Sequence, residues 1–182
     1  MLHLKNYFSV SEQQNLVEIT RNIFKTNGGM IIPMKPNGKR FNCSQTSCGL
    51  AGWLSDGGFA ARYSPINPIN NQPFPLIPTE LVEIGQSLAK LVGEFNYQPE
   101  TCLINYYPAN TKSRQDLHQD NTEPNLKTCV ISISLGDDCS FVIGSKFSRK
   151  DPLKGIMLRS GPCPNPSRGQ PFSLSWSSKN ST

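Results

Sequence analysis

His118 and Asp120 stand one residue apart in LHQDNTEPNLKTCVISISLG, residues 117–136. On an extended backbone, residues i and i+2 project to one face, so an imidazole and a carboxylate converge there. Such a nitrogen and oxygen pair suits Fe(II). A second His would complete a facial triad that leaves three coordination positions open for a co-substrate and oxygen. The same spacing also occurs on ordinary solvent-facing strands, so the pair alone does not decide the chemistry. The chain's other His is His3, and no His follows His118.

The elements that must position this pair are short. The 182 residues are enough for one domain with a sizeable core. Fifteen Pro and fourteen Gly favour turns over long helices. The segment SEQQNLVEITRNIFKTNGG predicts a helix capped by Ser11 and Gln14, with Leu16, Ile19 and Ile23 on one face and Gly28–Gly29 at its end. Residues 30–78 read as short, turn-rich segments in which Pro and Asn recur, an irregular stretch of the kind that carries function. A second helix is predicted from Thr79 through Leu81, Ile84, Leu88, Leu91 and Phe95, with Glu80 and Glu83 in its first turn. The chain then turns to β structure in TCLINYY, KTCVISISLG, CSFVIGS and GIMLR. In the second of these Cys129, Ile131, Ile133 and Leu135 make a dry face, and Val130, Ser132 and Ser134 a wetter one.

Composition narrows the classes. Apolar residues are 36% and charged residues 17%, as in a soluble globular protein. The net charge of +5 admits a polyanionic partner without demanding one. None of the six Cys forms a CxxC pair, and all read as buried, reduced thiols. The segment MLHLKNYFSV has no signal-peptide character and no run reaches transmembrane length, so a cytoplasmic protein with no membrane partner is expected. From Gly161, GPCPNPSRGQPFSLSWSSKNST is rich in Pro and Ser and reads as a tail without strands.

The stretch LINYYPANTKSRQDLHQDNTEPNLKTCVISISLG resembles the AlkB family of iron- and 2-oxoglutarate-dependent dioxygenases. It shows that family's N-x-Y-x-P strand, its L-H-x-D-x-x-E-P segment and a strand ending S-x-S-L-G. Upstream, CGLAGWLSDGGFAARYSPINPINNQPFPLIP looks like the family's nucleotide-recognition lid, and downstream KDPLKGIMLRSG resembles the hairpin before the last strands. The likeness spans roughly residues 28 to 161. It implies that His118 and Asp120 are iron ligands, that Asn105 and Tyr107 hold 2-oxoglutarate, and that Trp53 and Tyr63 are lid aromatics contacting a flipped base. A base must leave its stack to be oxidised and is then held by stacking and edge contacts. Loop aromatics also pin loops to their own domain, so residue type alone leaves both roles open for Trp53 and Tyr63. The implied reaction oxidises an N-alkyl carbon, which leaves as formaldehyde. Thr122 stands where much of the family has an Asp that helps read the base. Lys112, Arg114, Lys146, Arg149 and Lys150 are available for phosphate contacts.

The family's second iron-binding His, and the Arg residues that clamp 2-oxoglutarate, have no counterpart after His118, where the last Arg is Arg168. Written in permitted codons and read one base later, LSWSSKNST becomes Y-H-G-V-A-K-I-A, and Y-H-G is the family's third-ligand segment. The same shift in GQPFS permits S-R-L-A, and Gly161 permits the Asp of the family's S-G-D. A shifted reading frame over this region is therefore expected.

The expected fold is mainly β with flanking helices (α+β), a double-stranded β-helix or jelly roll, incomplete at its C-terminus. Residues 1–160 form the oxygenase domain, 28–78 its lid region, and 161–182 an aberrant tail. With the last strands lost, sheet edges would be uncovered and solubility poor. The expected function is Fe(II)/2-oxoglutarate-dependent dealkylation of alkylated DNA or RNA by a monomer, with this chain inactive for want of the third ligand. A catalytically dead nucleic-acid-binding remnant and a different jelly-roll metalloprotein are the alternatives.

Overall fold

The structure, a computed structural model, describes residues 2–57, 61–108, 111, 113–115, 117–118, 129–145 and 151–159, and the backbone of 172–178. Helix α1 spans Val10–Thr26. The capping box falls two residues earlier than its sequence prediction: Ser9 N donates to Glu12 Oε2 at 2.7 Å and Ser9 Oγ accepts from Glu12 N at 3.3 Å. Glu rather than Gln closes it, because a carboxylate also complements the helix dipole. Asn27 caps the far end, and Gly28 follows at φ +75°, the left-handed turn that lets Gly29 N reach Phe24 O at 2.9 Å. Helix α2 spans Thr79–Lys90 and is shorter than its apolar spacing predicts. Leu91 and Phe95, expected on its inner face, lie beyond its end and are exposed.

The strands are β1 Ser44–Gly49, β2 Gly52–Leu54, β3 Arg62–Ser64, β4 Ile66–Asn67, β5 Gln72–Pro73, β6 Pro99–Tyr106, β7 Ile131–Leu135, β8 Cys139–Ile143, β9 Lys154–Leu158 and β10 Phe172–Ser178. Four form an antiparallel sheet in the order β1-β6-β10-β7, while β2–β3, β4–β5 and β8–β9 are separate two-stranded ribbons. Strand β1 was not read from the sequence. Its residues SQTSCG show no apolar alternation, yet five of the six are buried.

Register sorts the sheet into two faces, because directly paired residues share one. Cys48 pairs with Cys102 and Thr46 with Ile104, and this side meets the helices. Leu16 and Ile23 of α1, Leu81 and Ala89 of α2, and Ile131, Ile133 and Leu135 of β7 complete that core. Each large aliphatic side chain so buried contributes about 1.5–3 kcal/mol. The other face carries Gln45, Ser47, Leu103 and Asn105.

The ending corrects the expectation of a strandless tail. Phe172–Ser178 is a strand, paired with β6 on one side and β7 on the other. The segment FSLSWSS does alternate, with Phe172, Leu174 and Trp176 separated by Ser. The Ser-rich composition hid that period. Two facing strands with open ladders supply the rest of the drive, since buried backbone donors and acceptors need partners. The inner edges of β6 and β7 are thus covered.

The described Cys residues are free thiols. Cys43, Cys48 and Cys102 are buried, and Cys129 and Cys139 half-buried. Among the described residues no helix is long and apolar enough to cross a membrane.

Candidate functional site

Asn105 lies near the end of β6, 5% exposed, opposite Gln45 of β1 and Ser173 of β10. Tyr107 follows just past the strand. Its hydroxyl donates to Gln115 Oε1 at 3.0 Å, and Gln115 Nε2 lies 3.4 Å from His118 Nε2. An amide nitrogen only donates, so this contact leaves Nε2 of His118 as the unprotonated nitrogen. The predicted co-substrate residue and the predicted ligand are thereby joined through Gln115, which the sequence reading did not single out. Its place three residues before the His was the available signal.

Burial holds the Tyr107 phenol well above the usual tyrosine range, with the Cys43 and Cys139 thiols as smaller causes. Tyr107 therefore stays protonated and remains a donor. Cys43 is itself pushed up to about 11 by burial. A buried amide and a protonated phenol fit the carboxylate oxygens of a keto acid, which accept hydrogen bonds.

His118 is exposed. Asp120 lies outside the described residues, as do Thr122, Lys112, Lys146, Arg149 and Lys150. Arg114 is exposed. Among the described residues no group of three His, Cys, Asp or Glu side chains is placed to hold a metal ion.

The aromatic side of the site is built separately. Trp53 of β2 pairs directly with Tyr63 of β3 across a short ribbon. Phe41 meets Trp53 edge-on, with centroids 6.4 Å apart at 88°, and Lys35 Nζ lies 5.5 Å above the Phe41 ring. Asp56 and Arg62 close the ribbon at 2.8 Å. Gln45 connects the two sides: opposite Asn105 in the sheet, it donates from Nε2 to the Trp53 carbonyl at 2.8 Å. Phe41, Lys35 and Gln45 were missed in the sequence because none belongs to a spaced motif.

The 2OG-Fe(II) oxygenase superfamily matches residues 1–164, a span that ends before β10. The chain is 38% identical over 127 residues to "Alpha-ketoglutarate-dependent dioxygenase AlkB" of Escherichia coli (strain K12), covering 69% of this chain and 56% of that protein. It is 27% identical over 180 residues to "DNA N(6)-methyladenine demethylase ALKBH1C" of Arabidopsis thaliana, covering 88% of this chain and 38% of that one. The chain spans about half the length of the first curated relatives it matches. The solved structure titled "The structure of OsALKBH1" superposes with a TM-score of 0.74 at 20% identity, covering 95% of each chain. That likeness shows the fold, a jelly roll with two flanking helices.

Proposed function

Because the chain belongs to the 2OG-Fe(II) oxygenase superfamily, and within it to the AlkB family, we propose that it is the oxygenase domain of an enzyme that dealkylates bases in DNA or RNA. The observation that carries this reading is the Trp53–Tyr63 cross-strand pair, tied by Gln45 to the sheet face that holds Asn105. A stacking platform beside a keto-acid site is what oxidation of an unstacked base requires. In this reading Asn105 and Tyr107 bind 2-oxoglutarate, His118 and Asp120 bind Fe(II), and Trp53 and Tyr63 hold the base. The family's iron chemistry supplies the oxidation. The protein supplies position and a dry, shaped site.

Within the 182 residues given, only two donors of a facial triad are proposed. His118 and Asp120 are one ligand short of a facial triad, and His3 lies in the segment ahead of α1. This chain is thus expected to hold nucleic acid while binding iron weakly and turning over little. A shifted reading frame over residues 161–182 would account for the shortfall. Read one base later, the His of Y-H-G takes the place of Ser175, which pairs with Leu103 and Ser132. Alternation along β6 puts Leu103 on the same face as Asn105. That register supports a ligand at this position.

The test uses a single-stranded oligonucleotide carrying one N-methylated base, titrated without metal, alongside formaldehyde release with Fe(II) and 2-oxoglutarate. Binding that needs Trp53, with formaldehyde release near background, is the expected result. Resequencing across the codons for Leu158–Thr182 decides the frame. Absence of binding to any alkylated strand overturns the reading. Tight Fe(II) binding indifferent to 2-oxoglutarate would point instead to a different jelly-roll metalloprotein.

A further inference from the structure

The β2–β3 ribbon lies outside the main sheet, so something other than a shared ladder must hold its aromatic pair in place. Its entry strand is held directly. Besides the Gln45 bond to the Trp53 carbonyl, Met34 N donates to Ser55 O at 2.7 Å and Ser55 Oγ to Met34 O at 2.5 Å. The exit strand, which carries Tyr63, is held at a distance. Ser64 Oγ accepts from Ile66 N at 3.2 Å and donates to Ile66 O at 3.0 Å, turning the chain into β4. Asn67 then enters a buried amide network.

That network is specific in its bonds. Asn67 Nδ2 donates to Asn27 O at 3.0 Å and to Asn27 Oδ1 at 3.2 Å, while Asn67 Oδ1 accepts from Ile69 N at 3.0 Å. Asn27 Nδ2 donates in turn to Thr46 Oγ1 at 2.7 Å and to Ser47 O at 2.8 Å. Asn67 is 2% exposed and Asn27 1%. The partly open cleft between the ribbon and β1 has room for only about 10 Å³. Two amides, 40 residues apart in sequence, therefore link the ribbon's exit to the end of α1 and to the middle of β1. The four residues from Tyr63 to Asn67 reach at most about 14 Å. Fixing Asn67 confines Tyr63.

We propose that Asn67, acting through Asn27, is a positioning residue that presets the Trp53–Tyr63 pair for a base. This rests on the proposed role of the ribbon in holding nucleic acid. A hydrogen-bonded buried pair is high-stakes: cutting it strands the partner amide in a dry place. A preset platform also avoids the ordering cost that a loose ribbon would bear on binding.

The test is hydrogen exchange on the full chain, comparing wild type with Asn67→Ala, Asn67→Ser and Leu88→Ala. Serine keeps an acceptor for Ile69 N but is too short to reach Asn27, so it isolates the anchoring bond and serves if alanine disturbs folding. Leu88→Ala weakens the helix-side core without touching the network. Both Asn67 variants are expected to exchange about tenfold faster at residues 52–54 and 62–64, with β6 and β7 unchanged. Leu88→Ala should show the reverse pattern. The Asn67 variants should also bind the methylated oligonucleotide about tenfold more weakly, a loss that Leu88→Ala does not share. Unchanged exchange in the ribbon overturns the proposal, and so does a rise that appears equally in β6 and β7. If wild type binds no nucleic acid, the functional reading fails, and the anchor is still decided by exchange.

Discussion

Gly52 offers the sharpest test of how the ribbon is seated. A methyl carbon built there would fall 2.3 Å from Phe74 Cζ, 2.6 Å from Cε2 and 2.9 Å from Cε1. Ordinary carbon contacts are about 3.5–4.0 Å, so the overlap is roughly 1 Å or more. Phe74 is 8% exposed and lines the same small cleft as Asn67 and Ile31, so its ring is packed on most sides. Gly52→Ala must therefore lift β2 from its seat. Overpacking of this kind costs about 1–3 kcal/mol. In a chain of this size each kcal/mol lowers Tm by roughly 2–4 °C, so a fall of about 4–8 °C is expected in the middle of that range. Trp53 is the next residue, and lifting β2 breaks the bond from Gln45. Oligonucleotide binding should weaken together with stability. Thermal melts followed by circular dichroism, with anisotropy titrations, measure both, and the double variant with Phe74→Leu should recover part of each. An unchanged Tm, or no recovery in the double variant, would refute the account of this contact.

Gly49→Ala should be more severe still, since its methyl carbon would lie 2.1 Å from Glu100 O and its φ is +109°; failure to yield folded protein, against a folded Gly155→Ala control that meets open space, is the expected result. Stability should decline as pH rises from about 8.5, the ordinary thiol value, to about 11, because the unfolded chain ionises Cys43 in that window while burial keeps the folded thiol neutral. Below the window both states are protonated and the contribution is fully present. Denaturant melts at stepped pH should show a shallower decline in Cys43→Ala. Gln115→Ala should strengthen any residual Fe(II) binding by roughly a few-fold, read by calorimetry, because the Nε2 lone pair of His118 that accepts from Gln115 is the one a metal would need; a loss of binding would refute this reading of the contact.

What was legible in the sequence tracks what is periodic. The alternation in KTCVISISLG read correctly as a strand with one dry face, since Ile131, Ile133 and Leu135 are buried and Ser132 is exposed. Strand β1 was invisible because its burial is satisfied by hydrogen bonds: Thr46 and Ser47 take their partners from Asn27, and Gln45 finds Trp53. No hydropathy pattern records a bond between residues 20 positions apart. Leu91 and Phe95 misled for the opposite reason. They keep the helical spacing, but the helix stops at Lys90, where Val92, Gly93 and Glu94 N–H groups bond back to Ala89 and Lys90. The candidate site could be proposed only where motif residues carry it, at Asn105, Tyr107, His118, Trp53 and Tyr63. It was not legible at Gln45 and Gln115, whose roles exist only after folding.

The placement of these bonds argues that binding and catalysis separate in this chain. The hydrogen bonds described above that seat the aromatic ribbon, from Asn27 through Gln45 to Ser55, and the Phe74 contact lie before α2, while β2 also touches β6. The proposed iron donors come after β6, and a third donor in the proposed frame belongs to the strand between β6 and β7. Backbone pairing depends little on side-chain identity, so β10 can close the sheet with Ser at 173 and 175 as well as with any other strand-compatible residue. Ligation has no such tolerance, because it needs an imidazole at one place. A change of residues along β10 would therefore leave the jelly roll and the proposed base platform standing while removing the proposed third iron donor. On this argument, restoring the proposed frame should raise formaldehyde release from near background by orders of magnitude, and should change oligonucleotide affinity without metal by less than about twofold. A restored frame that left turnover at background would break the argument at the iron site. One that sharply raised metal-free affinity would show that the platform had been incomplete as well.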